Sequence, residues 1–294
     1  MEVIRSLIDD DTVIALGDFD GLHIAHMTII RNAVSYAKEH GLKSGVLLFK
    51  QNSKGARLLT SNSQRMAVLE RENLDFVYIQ EFSEDFKRLS PRAFAKILKE
   101  KLNVKAVCVG FDYSFGYRAE GKINDLEKLG NEYGFDVLVT QAMCIDNELI
   151  SSSNIRQLIQ NGEIEKANKF LGRSFCIEGS VAKGFQNGRK MGIPTANLEY
   201  APDIVLPKNG VYAGITHVNG AKLKSVINIG NNPTFNADKI TIESHILDFD
   251  QDIYGQNIRI EFIKRLRGDI KFNGIEELKA QINKDIENAR RILN

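Results

Sequence analysis

The sequence predicts two folded bodies of different class: a Rossmann-like α/β domain over residues 1–170, then a small antiparallel β barrel or sandwich with a closing helix over 171–294. Three observations predict it. The 294 residues exceed what one hydrophobic core usually organises. The first half alternates short β-branched runs with stretches of helical period, the pattern of a parallel sheet with crossover helices. From about Phe175 that period gives way to strands without helices between them.

In the first half the spacing predicts strands at 12–16, 45–50, 76–80, 105–110 and 136–141. A helix over 26–40 should end on Gly41, and Ser90-Pro91 supplies an N-cap with proline at the first helical position. Ligands of such sheets sit beyond the carboxyl ends of the strands, so the loops at Gly17, Lys50, Gly110 and Ala142 are the places to search. In the second half, strands at 176–182, 211–218, 223–229, 240–249 and 258–266 are separated by turn signals such as Asn219-Gly220, Asn232-Pro233 and Tyr254-Gly255. Ile275, Leu278, Ile282, Ile286, Ala289 and Leu293 form one helical stripe to pack on the barrel. The boundary falls near a helical segment at 163–170, and no Pro/Gly/Ser-rich linker, repeat or low-complexity tract interrupts the chain.

Composition narrows the classes of function. Apolar residues make up 43% and charged residues 26%, enough to fill real cores. Lys plus Arg number 39 against 38 Asp plus Glu, so bulk charge gives no case for nucleic acid as a partner. Apolar runs such as Val46-Leu47-Leu48-Phe49 are far below the roughly 20 residues that cross a bilayer. The amino terminus has neither a basic flank nor an apolar core of a secretion signal, so the expected compartment is the cytoplasm. Cys108, Cys144 and Cys176 lie far apart in apolar or strand-like runs and read as core. Oligomeric state is left open.

Chemistry concentrates in a few segments. The strand at 12–16 runs into Gly17-Asp18-Phe19-Asp20-Gly21-Leu22-His23-Ile24-Ala25-His26 and then a helix. A glycine-bearing loop feeding a helix start suits phosphate, because free N–H groups and the helix dipole point at an anion. His23 and His26, three apart, can reach one phosphate chain. A metal pair is the rival reading, without a third ligand of suitable spacing. Gly116 to Ile123 nearly writes a P-loop, but Ile123 stands where Ser or Thr must hold magnesium. In the second half, Gly188-Arg189-Lys190-Met191-Gly192-Ile193-Pro194-Thr195-Ala196-Asn197-Leu198 and Gly210-Val211-Tyr212-Ala213-Gly214 could simply mark turns. Along Ile242-Glu243-Ser244-His245-Ile246-Leu247, alternation sets Glu243, His245 and Leu247 on one face and Ser244 and Ile246 on the other.

These motifs resemble bacterial bifunctional riboflavin kinase/FAD synthetases over essentially the whole chain. The Gly17–His26 run is similar to that family's GxFDGxHxGH signature, Val109-Gly110-Phe111-Asp112-Tyr113-Ser114-Phe115-Gly116 to VGxDFxFG, and Ile150-Ser151-Ser152-Ser153-Asn154-Ile155-Arg156 to ISSTxIR. The run at 188–198 resembles GRxLGFPTANL, the 242–255 segment E(V/S)HxxDFDxDLYG, and Asn228 to Phe235 NIGxxPTF.

The resemblance implies a nucleotidylyltransferase domain and a six-stranded-type antiparallel kinase barrel, with riboflavin, FMN and ATP as substrates and Mg²⁺ as cofactor. It implies that His23 and His26 stabilise charge on the α-phosphate of ATP, with Gly17, Phe19, Asp20 and Gly21 beside the nucleotide. Ser151, Ser152 and Arg156 would hold the outgoing phosphates, and Asp112 would shape the flavin or nucleotide pocket. In the barrel, Thr195 and Asn197 would hold Mg-ATP and Glu243 would be the general base. Lys183, Gly184, Arg189 and Pro194 would lie near the nucleotide, and Asn228, Gly230 and Phe235 near the flavin. His245 reads as packing.

Two departures set the alternatives. Ala25 replaces the glycine of HxGH, at about 1 kcal/mol if that position needs positive φ. Phe49-Lys50-Gln51-Asn52-Ser53 lacks the proline and histidine of the family's FEPHP-like loop. The alternatives are a monofunctional riboflavin kinase with a degenerate adenylyltransferase domain and a non-catalytic flavin-binding regulator.

Overall fold

The computed structural model describes residues 1–49, 56–183, 192–231 and 240–294. The chain divides into two compact units, Met1–Ser152 and Ser153–Asn294. Among the described residues, no helix is long and apolar enough to cross a membrane.

The first unit is built on a six-stranded, all-parallel sheet. Its strands are β1 (Glu2–Ile4), β2 (Thr12–Leu16), β3 (Lys43–Phe49), β4 (Phe76–Gln80), β5 (Val104–Gly110) and β6 (Asp136–Thr140), in the spatial order β1-β4-β3-β2-β5-β6. The crossovers carry α1 (Ile24–His40), α2 (Asn62–Leu69), the single turn α3 (Glu84–Lys87), α4 (Pro91–Leu102) and α5 (Ile123–Tyr133). Every residue of β2 is buried, with Val13 and Ala15 feeding one core layer and Ile14 and Leu16 the other. Layers on both faces are what a central parallel strand requires. Gly45 admits the Phe76 ring from β4, because a Cβ there would stand 2.3 Å from it.

The predicted caps are present. Gly41 closes α1 at φ 67°, and the Ser90 hydroxyl accepts from Ala93 N ahead of Pro91. The chain runs from β2 through β3 to β4 on one side, then returns to place β5 on the other. The loops after β2 and β5 therefore flank the switch point where such sheets bind ligands. The extra strand β1 is too short to show a period. The little hairpin of β7 (Cys144–Ile145) and β8 (Glu148–Leu149) was likewise not predicted. Cys144 is exposed there, which corrects its assignment to the core; Cys108 is buried and Cys176 half-buried.

The second unit opens with α6 (Ser152–Asn161), whose first residue falls in the first unit, and α7 (Ile164–Leu171). Asn168 ties α7 to the barrel that follows, donating to Phe262 O at 2.8 Å and accepting from Phe175 N at 2.7 Å. Six strands close that barrel in the order β10-β13-β12-β11-β14-β9. They are β9 (Phe175–Ala182), β10 (Ala196–Tyr200), β11 (Gly210–Val218), β12 (Ala221–Asn231), β13 (Ile240–Ile246) and β14 (Asn257–Arg267). Closure settles barrel against sandwich. β10 is the strand not recognised in the sequence, so Asn197 stands on a strand rather than in a turn. Asn219 and Gly220 both have positive φ, the tight hairpin turn their pairing predicts.

The last helix, α8 (Ile275–Ile292), lays Ile286 and Ala289 on Val211, Ala213 and Val226. Ile275 is 66% exposed, so only the carboxyl half of the predicted stripe covers the barrel. Asp285, 2% exposed, anchors the helix by an ion pair with Arg267 at 2.9 Å, and Gln281 adds a hydrogen bond at 2.9 Å. Removing one member of a buried pair strands the other charge. Asp285→Ala is therefore expected to cost the barrel unit about 3 kcal/mol, read as a lower midpoint in its denaturant unfolding.

Candidate functional site

The loop after β2 is shaped by two constraints. Phe19, at φ 50°, folds its fully buried ring back over Gly17, where a Cβ would lie 3.1 Å from it. Asp20, 5% exposed, accepts from Leu59 N at 3.0 Å, Thr60 N at 3.2 Å and Thr60 Oγ1 at 3.3 Å. Gly21 N in turn donates to Thr60 Oγ1 at 3.0 Å, and Ser152 Oγ to Asp20 O at 2.9 Å. The Asp20 carboxylate thus holds the loop to the 59–60 segment.

The clamp sets the entry to α1. His23 is the N-cap, 3% exposed, its Nδ1 accepting from His26 N at 3.3 Å. Its ring stacks on His26 at 3.6 Å between centroids, and Phe19 meets His26 edge-on at 5.3 Å. The two imidazoles therefore share one helix start, His23 buried and His26 half-buried. Ala25 lies inside α1 and is not among the positive-φ residues, so the strain considered for it does not arise.

Arg65, which sequence reasoning passed over, is 4% exposed behind this loop and donates to Asp18 O at 3.4 Å and to Asn62 Oδ1. Burial pulls its pKa down, while Asp20 and Asp18 oppose the shift. The signal was available: Ser61 and Gln64 form a capping box that announces α2.

Asp112 is exposed in the turn after β5, its Oδ1 beside Gly110. Ser151 is half-buried before α6, and Arg156 half-buried on that helix, past the division between units. The near-P-loop instead makes a turn at Gly116, with Phe115 packed near Phe94 and Tyr113. Residues 50–55 of the loop after β3 lie outside the described residues.

In the barrel, β13 lies between β10 and β12. Glu243 is directly opposite Asn197 on one side and Asn228 on the other. Side chains at opposed positions share a face with Cβ atoms about 5 Å apart, so the carboxylate stands in a row between two amides. Thr195, two residues before Asn197, falls on the same side, with buried Ala196 pointing the other way.

Thr195, Asn197, Pro194, Asp250 and Tyr254 line a cavity of about 330 Å³. Ser244 and Ile246 of β13 also line it; Glu243 does not, but stands opposite the lining residue Asn197 across the β10–β13 ladder. Being half-buried, Glu243 has its carboxyl pKa pushed up by desolvation. A solvated strand glutamate would show no such shift.

Ser244 and Ile246 face inward as alternation predicts. Leu247 does not share the face of Glu243: it lies past the end of β13, is 4% exposed and packs beneath α8. Ser244 Oγ meets Thr216 Oγ1 at 2.8 Å, and Ser225 donates to Thr216 at 2.8 Å, a wholly buried hydroxyl chain. His245, read as packing, has its Nδ1 2.8 Å from Pro194 O. Lys183 is exposed one residue beyond Ala182, which opposes Asn197. At Gly230 on β12 a Cβ would meet only Asn228 Nδ2, at 3.8 Å. Gly184, Arg189 and Phe235 lie outside the described residues. Among the described residues, no three His, Cys, Asp or Glu side chains gather as a metal site; the oxygen-bearing side chains that line the cavity include Thr195, Asn197, Asp250 and Asp252.

A doubly wound sheet whose glycine loop enters a helix at the switch point, carried in one chain with a closed barrel, defines a two-domain protein whose first unit has a nucleotide-binding architecture. The family model for FAD synthetase matches residues 6–154, and that for riboflavin kinase matches residues 171–293. The bifunctional riboflavin kinase/FMN adenylyltransferase of Listeria monocytogenes is 38% identical, covering 96% of this chain and 92% of its own. That of Bacillus subtilis is 36% identical over 95% and 92%. A crystal structure named as a macrolide-efflux protein from Streptococcus pneumoniae superposes with a TM-score of 0.88 at 29% identity, covering 98% of both chains. The chain belongs to the family of bifunctional riboflavin kinase/FMN adenylyltransferases.

The Asp20 clamp carries a structural test. Asp20→Asn replaces one accepting oxygen by a donor that faces the N–H groups of Leu59 and Thr60. Charge-assisted bonds of this kind are worth about 2 kcal/mol. The expected result is a loss of that size in the first unit, with faster amide exchange at Leu59 and Thr60.

Proposed function

We infer that this chain converts riboflavin to FMN in its barrel and FMN to FAD in its amino-terminal domain, with ATP as donor in both reactions. The pairing of Glu243 with Asn197 beside a cavity lined by Thr195 carries the kinase half. Glu243 takes the proton of the terminal ribityl hydroxyl, that oxygen bonds to the γ-phosphorus of ATP, and ADP leaves with the electrons of the broken bond. Thr195 and Asn197 would hold Mg²⁺, which would supply charge neutralisation on the transferring phosphoryl. Lys183, Gly184, Arg189 and Pro194 are assigned to the nucleotide, and Asn228, Gly230 and Phe235 to the flavin.

In the amino-terminal domain a phosphate oxygen of FMN attacks the α-phosphorus of ATP and pyrophosphate leaves. His23 and His26 stabilise the charge that builds there. Gly17, Phe19 and Gly21 shape the loop, and Asp20 holds it. Ser151, Ser152 and Arg156 receive the outgoing phosphates, and Asp112 borders the pocket. The stacked histidines at the start of α1 support this reading, as does an Ala25 accommodated in helical conformation. We place the functional division at 170/171, between the two family matches, and the work in the cytoplasm.

Glu243→Gln is expected to fold and to lose about a hundred- to ten-thousandfold in FMN formation. The parent's kinase rate should fall as pH drops through the raised pKa of Glu243, since only the carboxylate accepts a proton; that limb should vanish in the variant. For stability the sign is reversed. Between the ordinary and the raised value the folded chain binds more protons than the unfolded one, so stability falls as pH rises through that window. The variant should therefore be at least as stable as the parent at neutral pH. Near-parental FMN formation would remove Glu243 from the role. For the other half, the protein incubated with FMN, ATP and Mg²⁺ is expected to yield FAD and pyrophosphate by chromatography. Absence of FAD would leave the chain a monofunctional kinase.

A further inference from the structure

The ladder between β10 and β13 covers only two residue pairs, Ala196 with Ser244 and Asn197 with Glu243. Continuing the antiparallel register would set Thr195 against His245 and Pro194 against Ile246. It cannot run on through Pro194, which has no N–H to give. A side chain makes the tether instead: His245 Nδ1 lies 2.8 Å from the Pro194 carbonyl oxygen. A carbonyl only accepts, so Nδ1 carries the proton and donates.

Burial does little to hold this stretch, since Pro194 is exposed and Thr195 half-buried. Thr195 is thus fixed from both sides, by a strand-paired Ala196 after it and a tethered Pro194 before it. The geometry needs both ends. Thr195 and Asn197 can offer oxygens to one ion only while the backbone between them keeps its extended form, and the strand ladder secures only the Ala196 end.

We propose that His245 is a positioning residue of the phosphoryl-transfer site, its imidazole holding the 194–196 backbone so that Thr195 and Asn197 present their oxygens to the same nucleotide-bound cation. This rests on Thr195 and Asn197 being the cation ligands. His245 touches neither substrate nor ion in this role; it acts through Pro194. Residues that orient metal ligands typically govern affinity by tenfold or more.

The test is calorimetric titration of the full chain with MgADP, beside steady-state kinetics of FMN formation. His245→Leu fills similar space without a donor. His245→Asn sets an amide N–H about where the imidazole Nδ1 stood. The Leu variant is expected to bind MgADP about tenfold more weakly, with the KM for riboflavin unchanged, and the Asn variant to recover to within about threefold of the parent. Parental MgADP affinity in the Leu variant, or an Asn variant no better than Leu, would overturn the proposal. Should the Leu protein fail to unfold cooperatively, His245→Gln, whose amide reaches one carbon further, replaces it; equal affinity in the Asn and Gln proteins has the same overturning force. A parent that makes no FMN defeats the preceding functional reading. A parent that makes FMN while His245→Leu binds MgADP normally defeats this inference alone.

Discussion

The position of β13 between β10 and β12 is the constraint on which the barrel's chemistry depends. Because side chains alternate along a strand, a slip of one residue would turn Glu243 inward and bring Ser244 out. The inner face resists that slip. Ser244 is locked to Thr216 and Ser225 by a buried chain of hydroxyls, and Ile242 and Ile246 fill the core beside it. The inward residues thus hold the register that the outward residues use.

The amino-terminal unit solves a related problem with a side chain in place of a ladder. A loop containing two non-glycine residues at positive φ, Phe19 and Leu22, is costly to hold open by itself. Asp20 satisfies backbone donors at Leu59 and Thr60, and Arg65 contributes a compensating charge from behind. The histidines then stack at the head of a helix whose start is already fixed. In the barrel Glu243, Thr195 and Asn197 are half-buried while Ser244, which holds the register, is buried; in the amino-terminal unit His23 is buried and His26 half-buried beside the buried Asp20.

How far the sequence disclosed this arrangement depended on the length scale of each signal. Strands at the centre of the parallel sheet were readable because burial on both faces writes a continuous apolar run, as at β2 and β5. β10 escaped because Ala196-Asn197-Leu198 sits within a glycine- and proline-rich stretch that composition assigns to turns. β1 and the β7–β8 hairpin are too short to carry a period. At the sites, residue type and spacing marked Glu243, Thr195, Asn197 and the histidines. The pairing of Glu243 with Asn197 is a property of register, invisible until strands are aligned. Asp20 stood out as a motif residue, but its bonds to a segment 39 positions away could not be read from the motif. Arg65 was passed over although a capping box announces its helix, and His245 was read only as packing, since its partner is the Pro194 carbonyl, which leaves no trace in residue identity.

Closure of the barrel has a colloidal consequence that the open sheet does not share. All six barrel strands have neighbours on both sides, and among the described residues the short β10–β13 ladder is the one seam of only two pairs, so the barrel has no free edge strand to recruit another molecule. The parallel sheet ends in β1 and β6. β1 spans three residues and offers little template; β6 spans five and is only partly covered. In concentrated or partly unfolded preparations, self-association should therefore nucleate at β6, and solubilising changes belong on that edge.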